Sequence, residues 1–201
     1  MSERVATITG ADQPLGTAVA TEVAPSVDAL VLGGANVEAL ETVTEAVTPH
    51  VDHVGHLRTD VRDEFDIERL METASRDGDG AISYVVPCAR VHHLDVRRPL
   101  EDWSYAGFDD ELRTNLRGVF TALREATPHC DASSVIAVPW VDPDEGLARP
   151  AEVAIESLVK VVDAVAAPSC VPVAVDAIPL DATADATTQA REVVEALTAN
   201  G

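Results

Sequence analysis

Short apolar runs rich in β-branched residues alternate with amphipathic stretches along the whole chain, and few folds can absorb that alternation. VATIT (5–9), DALVLG (28–33), a weaker run at 51–57, AISYVVP (81–87), SSVIAVP (133–139) and VPVAVDAI (171–178) read as strands. Helical patterns separate them, from about Pro14 to Ala24, Asn36 to Val47, Asp63 to Arg76, 107–127 and 150–167, and a last one covers 185–198. Asn36 and Asp63 stand where helix caps belong. Strands that are apolar at nearly every position are buried on both faces, which is the habit of a parallel sheet covered by helices. Right-handed crossovers then favour a doubly wound, Rossmann-like α/β sheet of six strands in the order 3-2-1-4-5-6. Residues 1–201 read as one domain of that class, with no second domain.

The turn after the first strand, VATITGADQPLG, carries Thr9, Gly10 and Gly16. It resembles the Thr-Gly-x-x-x-Gly-x-Gly turn of the short-chain dehydrogenase/reductase family, whose members bind NAD(P). The middle glycine is replaced by Pro14. Glycine there permits close backbone approach to a pyrophosphate, whereas proline adds a ring and removes an N–H donor. Asp12 adds a carboxylate where a phosphate would want donors. A plainer reading makes Asp12 a helix cap and Pro14 a first-turn residue. TDV (59–61) resembles the family's Asp-Val pair, which implies that Asp60 binds an adenine ring with Val61 beside it; a strand-end turn is the alternative. Asn115, in RTNLRGVF, matches the family's catalytic-tetrad Asn in the long fourth helix. Without its partners, a helix-kink role is the expectation.

Elsewhere the positions that carry the family's chemistry hold other residues. The family pairs Tyr-x-x-x-Lys on one helix face, the Lys lowering the Tyr pKa. The single lysine here is Lys160, and the residue four before it is Glu156. Tyr84 and Tyr105 are the only tyrosines, and neither precedes a lysine by four. The family's Asn-Asn-Ala-Gly falls on Pro87-Cys88-Ala89-Arg90, its Ser on or beside Pro139-Trp140, and its Tyr and Lys at about Ala151 and Ile155. The basic residue that often selects a 2'-phosphate falls on Ala35. Glu156 and Lys160 are expected to form an i,i+4 surface pair worth about 0.2–0.5 kcal/mol. After strand six, Pro179 leads into one helix, so the family's seventh strand and substrate lid are expected to be missing. Strand six would then be an edge unless a helix or partner covers it.

The formal net charge is -21, from 35 acidic and 14 basic residues, and all the basic residues except Lys160 are arginine. Aromatics are 3% and the acids are spread through every helix, which is the style of extreme halophiles. Such a field repels nucleic acid and anionic lipid at low salt. In molar salt the Debye length is about 3 Å and bulk charge says little. No apolar run approaches the roughly 20 residues of a membrane span, and MSERVATITG enters a strand directly, so a cytoplasmic protein is expected.

Three smaller constellations carry side chains capable of chemistry. His50, His53 and His56 are spaced by threes, which on a strand sends neighbours to opposite faces and disfavours a shared metal. Cys88 with His92 and His93 lies at the carboxyl end of strand four, where a thiol–imidazole pair would be a nucleophile and base, against the commoner buried thiol. Cys130 and Cys170 precede neighbouring strands, with His129 beside them, so a disulfide or a casual metal site is open. No Cys-x-x-Cys zinc signature occurs.

These readings leave three functions in view. The first is a non-catalytic relative of the family, kept as a nucleotide-binding or scaffold protein. It would self-associate as a homodimer through the helices near 107–127 and 150–167, or hold another protein. The second is an NAD(P)-dependent oxidoreductase with unusual acid/base groups such as His92 or His93. The third is non-redox chemistry at Cys88.

Overall fold

The computed structural model describes residues 3–77, 80–88, 104–141, 173–181 and 183–200. The strands are β1 (Val5–Thr9), β2 (Ala29–Gly34), β3 (His53–Arg58), β4 (Tyr84–Pro87), β5 (Val135–Val141) and β6 (Ala174–Leu180). The helices are α1 (Pro14–Val23), α2 (Val37–Val47), α3 (Glu64–Asp77), α4 (Tyr105–Glu111), α5 (Gly118–Ala126) and α6 (Ala186–Asn200). A π-helical segment, Leu112–Arg117, joins α4 to α5. The sheet runs β3-β2-β1-β4-β5-β6, with every described pair parallel. This is the order that the alternation and the handedness of crossovers predict.

Consecutive residues of a strand point to opposite faces, so each strand feeds two cores. Val5, Val31, Ile67, Leu70, Leu123 and Ile136 pack on one face, while Ala6, Ile8, Leu30, Leu40, Val86 and Leu197 pack on the other. Central β1 is buried at all five positions. The hydroxyl of Thr7, 0% exposed, donates to the Val31 carbonyl at 3.1 Å, which removes the penalty of burying it.

Local chemistry explains the helix starts. The Asn36 side chain caps α2 by accepting from the Ala39 N–H at 3.2 Å. Asp63 Oδ1 accepts from the Phe65 N–H at 3.0 Å and opens α3, and Ser104 Oγ accepts from Gly107 at 3.0 Å and opens α4 two residues before the expected start.

The boundaries of β5 and β6 differ from expectation. β5 extends to Val141, so Trp140 lies inside the strand rather than beyond it and Pro139 is an interior residue rather than the last one. β4 pairs with β5 only as far as Val85↔Ile136, so Pro139 sits where β5 pairs with β6 alone and a missing N–H costs little. β6 likewise runs through Pro179, which an outer strand tolerates. Among the described residues β6 pairs only with β5, and α6 packs against both strands and against α1. Arg191 of α6 reaches Glu22 of α1 at 3.9 Å. The expected helix at 150–167, with Ala151, Ile155, Glu156 and Lys160, lies outside the described residues, as do Ala89, Arg90, His92, His93 and Cys170.

Candidate nucleotide crevice

The strand order reverses between β1 and β4, and an open α/β sheet binds ligands in the crevice beyond the carboxyl ends at such a point. The floor is tied across that point by the Cys88 N–H, which donates to the Thr9 carbonyl at 3.0 Å. Thr9 itself is 2% exposed. The chain then turns at Gly10, whose φ of 67° is the left-handed region that glycine enters without strain. Gln13 N–H closes the turn onto the Gly10 carbonyl at 3.0 Å, and the Thr17 hydroxyl donates to the Ala11 carbonyl at 2.8 Å.

α1 rises directly from this turn. A Cβ on Gly16 would run into the Gly10 carbonyl and lie 2.9 Å from Ala11 Cα, so only glycine lets the helix come so close. Pro14 is the first residue of α1, as expected, and Gln13 is its N-cap without a side-chain cap bond. The first-turn N–H groups of a helix have no intrahelical acceptor. Pro14 has none to offer, which leaves those of Leu15 and Gly16 at the crevice. This cradle, bare of Cβ atoms at Gly10 and Gly16, fits a pyrophosphate with one donor fewer than a glycine at position 14 would provide.

Asp12 does not cap α1. Its Oδ2 instead accepts the N–H groups of Ala35 at 3.0 Å and Asn36 at 2.9 Å, in the turn after β2. Two donors across the crevice outcompete the single bond that a cap would give. Gly34 makes the room, since a Cβ there would meet the Asp12 carboxylate. Sequence reasoning missed this link, although the Gly33–Gly34 pair at the end of a strand signals close backbone approach.

Asp60 lies at the far side of the crevice, just beyond β3. Its carboxylate is gripped by Arg62, with Nε to Oδ1 at 3.0 Å, Nη2 to Oδ2 at 2.9 Å and the Arg62 N–H to Oδ1 at 3.0 Å. The Arg62 fork holds the Asp60 pKa below the usual carboxylate range against the opposing pull of burial. An adenine amino group would share that carboxylate with the guanidinium. Val61, 9% exposed, packs on α5 where Gly118 leaves 3.4 Å for a Cβ. Asn115 is fully buried within the π-helical segment, a local widening often found at functional sites.

The two tyrosines stand elsewhere. Tyr84 is the first residue of β4, 2% exposed and in register with Ala6 and Val135. It lies about 13 Å of strand from the carboxyl end at Cys88, at roughly 3.3 Å per residue. Tyr105, at the start of α4, is 96% exposed. Cys88 is 1% exposed at the end of β4. Cys130 is a free buried thiol whose pKa burial pushes up to about 11. His56 Nδ1 shares a hydrogen bond with the Thr44 hydroxyl at 3.0 Å, while His53 is exposed. Among the described residues no three His, Cys, Asp or Glu side chains gather as metal ligands. A hollow of about 310 Å³ lined by Ala29, Val31, His53, Gly55 and Asp77 lies at the amino ends of β2 and β3, away from the crevice. No helix among the described residues is long and apolar enough to cross a membrane.

Comparison with known proteins agrees with this layout. Glycine betaine reductase of Emericella nidulans is 28% identical over 130 residues, 64% of this chain and 10% of that protein. The 2-(R)-hydroxypropyl-CoM dehydrogenase of Xanthobacter autotrophicus is 31% identical over 127 residues, 63% of this chain and 50% of that protein. The matched stretch thus spans half or less of each relative. A crystal structure of a dehydrogenase/reductase from Sinorhizobium meliloti superposes with a TM-score of 0.79 at 22% identity, covering 96% of this chain and 80% of the other, which establishes a common fold. The family model for short chain dehydrogenase matches residues 4–138, more than half of the sequence, and the chain belongs to that family.

Proposed function

We propose that this chain binds a nicotinamide dinucleotide at the β1/β4 crevice without performing the family's tyrosine-based hydride transfer, and serves as a binding or scaffold protein. One contrast carries the reading. The turn is built for close approach at Gly10 and Gly16, whereas Tyr84 is sealed in the sheet and Tyr105 stands in solvent. The only lysine, Lys160, has Glu156 rather than a tyrosine four residues earlier. A bound dinucleotide would supply a hydride donor or acceptor. The chain's residues would hold it through the Leu15 and Gly16 N–H groups, with Asp60 and Val61 at the adenine end. The acidic surface fits a protein working in high salt, and the exposed Phe108 and Phe120 on the 105–126 helix fit self-association through that face.

Calorimetric titration of NAD, NADH, NADP and NADPH in molar KCl tests the reading, with nicotinamide absorbance followed over a panel of secondary alcohols and ketones. Binding tighter than about 100 μM, roughly -5.5 kcal/mol, with no turnover is the expected result. No binding of any of the four overturns it.

The names of the two relatives, a reductase and a dehydrogenase, favour a second reading, an NAD(P)-dependent oxidoreductase with other acid/base groups. That reading requires cofactor-dependent turnover that is lost when His92 or His93 is changed. Chemistry at Cys88 is weighed down by its 1% exposure, and rapid thiol labelling of the native protein would revive it.

A further inference from the structure

We infer that Asp12 reads the ribose next to the adenine and excludes a dinucleotide phosphorylated at the 2' position. The inference rests on nucleotide binding at the crevice and goes further by naming which dinucleotide is accepted. Proteins with this sheet commonly carry an acid beyond β2 that accepts from the ribose 2'-hydroxyl, or an arginine nearby that accommodates a 2'-phosphate. The end of β2 and the turn beyond it, Gly33-Gly34-Ala35-Asn36, contain neither. The acid arrives instead from the glycine turn after β1.

Three features place it. Asp12 Oδ2 already occupies the N–H groups of Ala35 and Asn36, the backbone donors that a phosphate at this turn would take. Gly34 has no Cβ, so the carboxylate lies against the backbone itself. The Asn36 side chain is committed to capping α2 through Ala39, and Glu38 adds a second acid to the first turn of that helix. Asp12 Oδ1 makes no hydrogen bond among the described residues and remains an acceptor. A ribose hydroxyl can donate to it. A phosphate brings only negative charge and acceptors, and finds its donors taken. Because the contact is direct, the discrimination survives molar salt, where through-solvent repulsion is screened within about 3 Å.

The test titrates NAD, NADP, adenosine 5'-monophosphate and adenosine 2',5'-bisphosphate in molar KCl into the wild type, Asp12→Asn and Asp12→Ser. Asn keeps an oxygen for Ala35 and Asn36 and so keeps the turn, while removing the charge; thermal melting of each variant checks the fold. The wild type is expected to favour NAD over NADP at least tenfold, with the fragments in the same order. Each variant should lower that ratio at least tenfold by gaining NADP affinity. A wild type that binds NADP as well as NAD, or a ratio unchanged in both variants, overturns the inference while leaving nucleotide binding intact. Failure of all three proteins to bind any of the four ligands defeats the nucleotide reading itself, and this inference with it. NADP binding that appears only in the variants supports it.

Discussion

Replacing Gly16 with alanine should destabilise the protein even though alanine is the better helix former. The added Cβ meets the Gly10 carbonyl and lies 2.7 Å from the Gly10 carbonyl carbon and 2.9 Å from Ala11 Cα. All three are backbone atoms, so no side chain can swing aside, and Gly10 is already committed to the turn by its φ of 67°. Forcing an extra methyl into a packed site costs about 1–3 kcal/mol. Alanine returns at most about 1 kcal/mol of helix propensity. With three backbone atoms this close the cost lies at the upper end, so the net loss is about 2 kcal/mol, which for a domain of this size lowers Tm by roughly 4–8 °C. Thermal and urea unfolding in molar KCl would measure it, with Gly80→Ala as the control. No atom lies within 4 Å of the Cβ that Gly80 would gain, so that variant should stay within about 0.5 kcal/mol of wild type. A Gly16→Ala protein that melts at or above wild type would refute the close approach of α1 to the turn, and with it the physical basis of the cradle.

Three other outcomes are expected. Asp60 is held below its ordinary pKa by Arg62, so the pair's stabilisation is complete above the unfolded carboxylate value of about 3.9 and is lost as pH falls through the lower folded value. Arg62→Ala should therefore cost under about 1 kcal/mol near neutrality, because the pair is solvent-exposed, and should flatten the acid limb of a stability–pH curve. Cys130 shifts the opposite way: its stabilisation is complete below the free thiol value and fades as pH rises from about 9 towards 11, by about 2–3 kcal/mol, a loss that Cys130→Ser should abolish in alkaline urea titrations. Phe108→Asp with Phe120→Asp, both at exposed positions, should shift the sedimentation profile towards monomer with little change in Tm; an unchanged profile would remove the 105–126 face from self-association.

Much of the site's frame could be read along the chain because its signals are local. Gly10 and Gly16 mark a turn wherever the fold places it, and the Pro14 ring suits a first helical residue in any context. The Asn36 cap spans three residues and forms in the structure. Strand ends were less legible, as with β5 running on past Pro139 to Val141, because the tolerance for an interior proline depends on which neighbour β5 pairs with at that point.

The sequence by itself determined the doubly wound sheet, since short continuous apolar runs alternating with 3.6-residue amphipathic stretches, repeated six times, can bury their faces in few other ways. It also determined that no tyrosine precedes a lysine by four residues. Only the tertiary structure decided where the Asp12 carboxylate points. Asp12 reads locally as a helix cap, yet it bonds residues 23 and 24 positions away because β1 and β2 are neighbours and Gly34 clears the path. A carboxylate goes to whichever donors the fold brings nearest, and that depends on chain crossings that no local window of sequence contains.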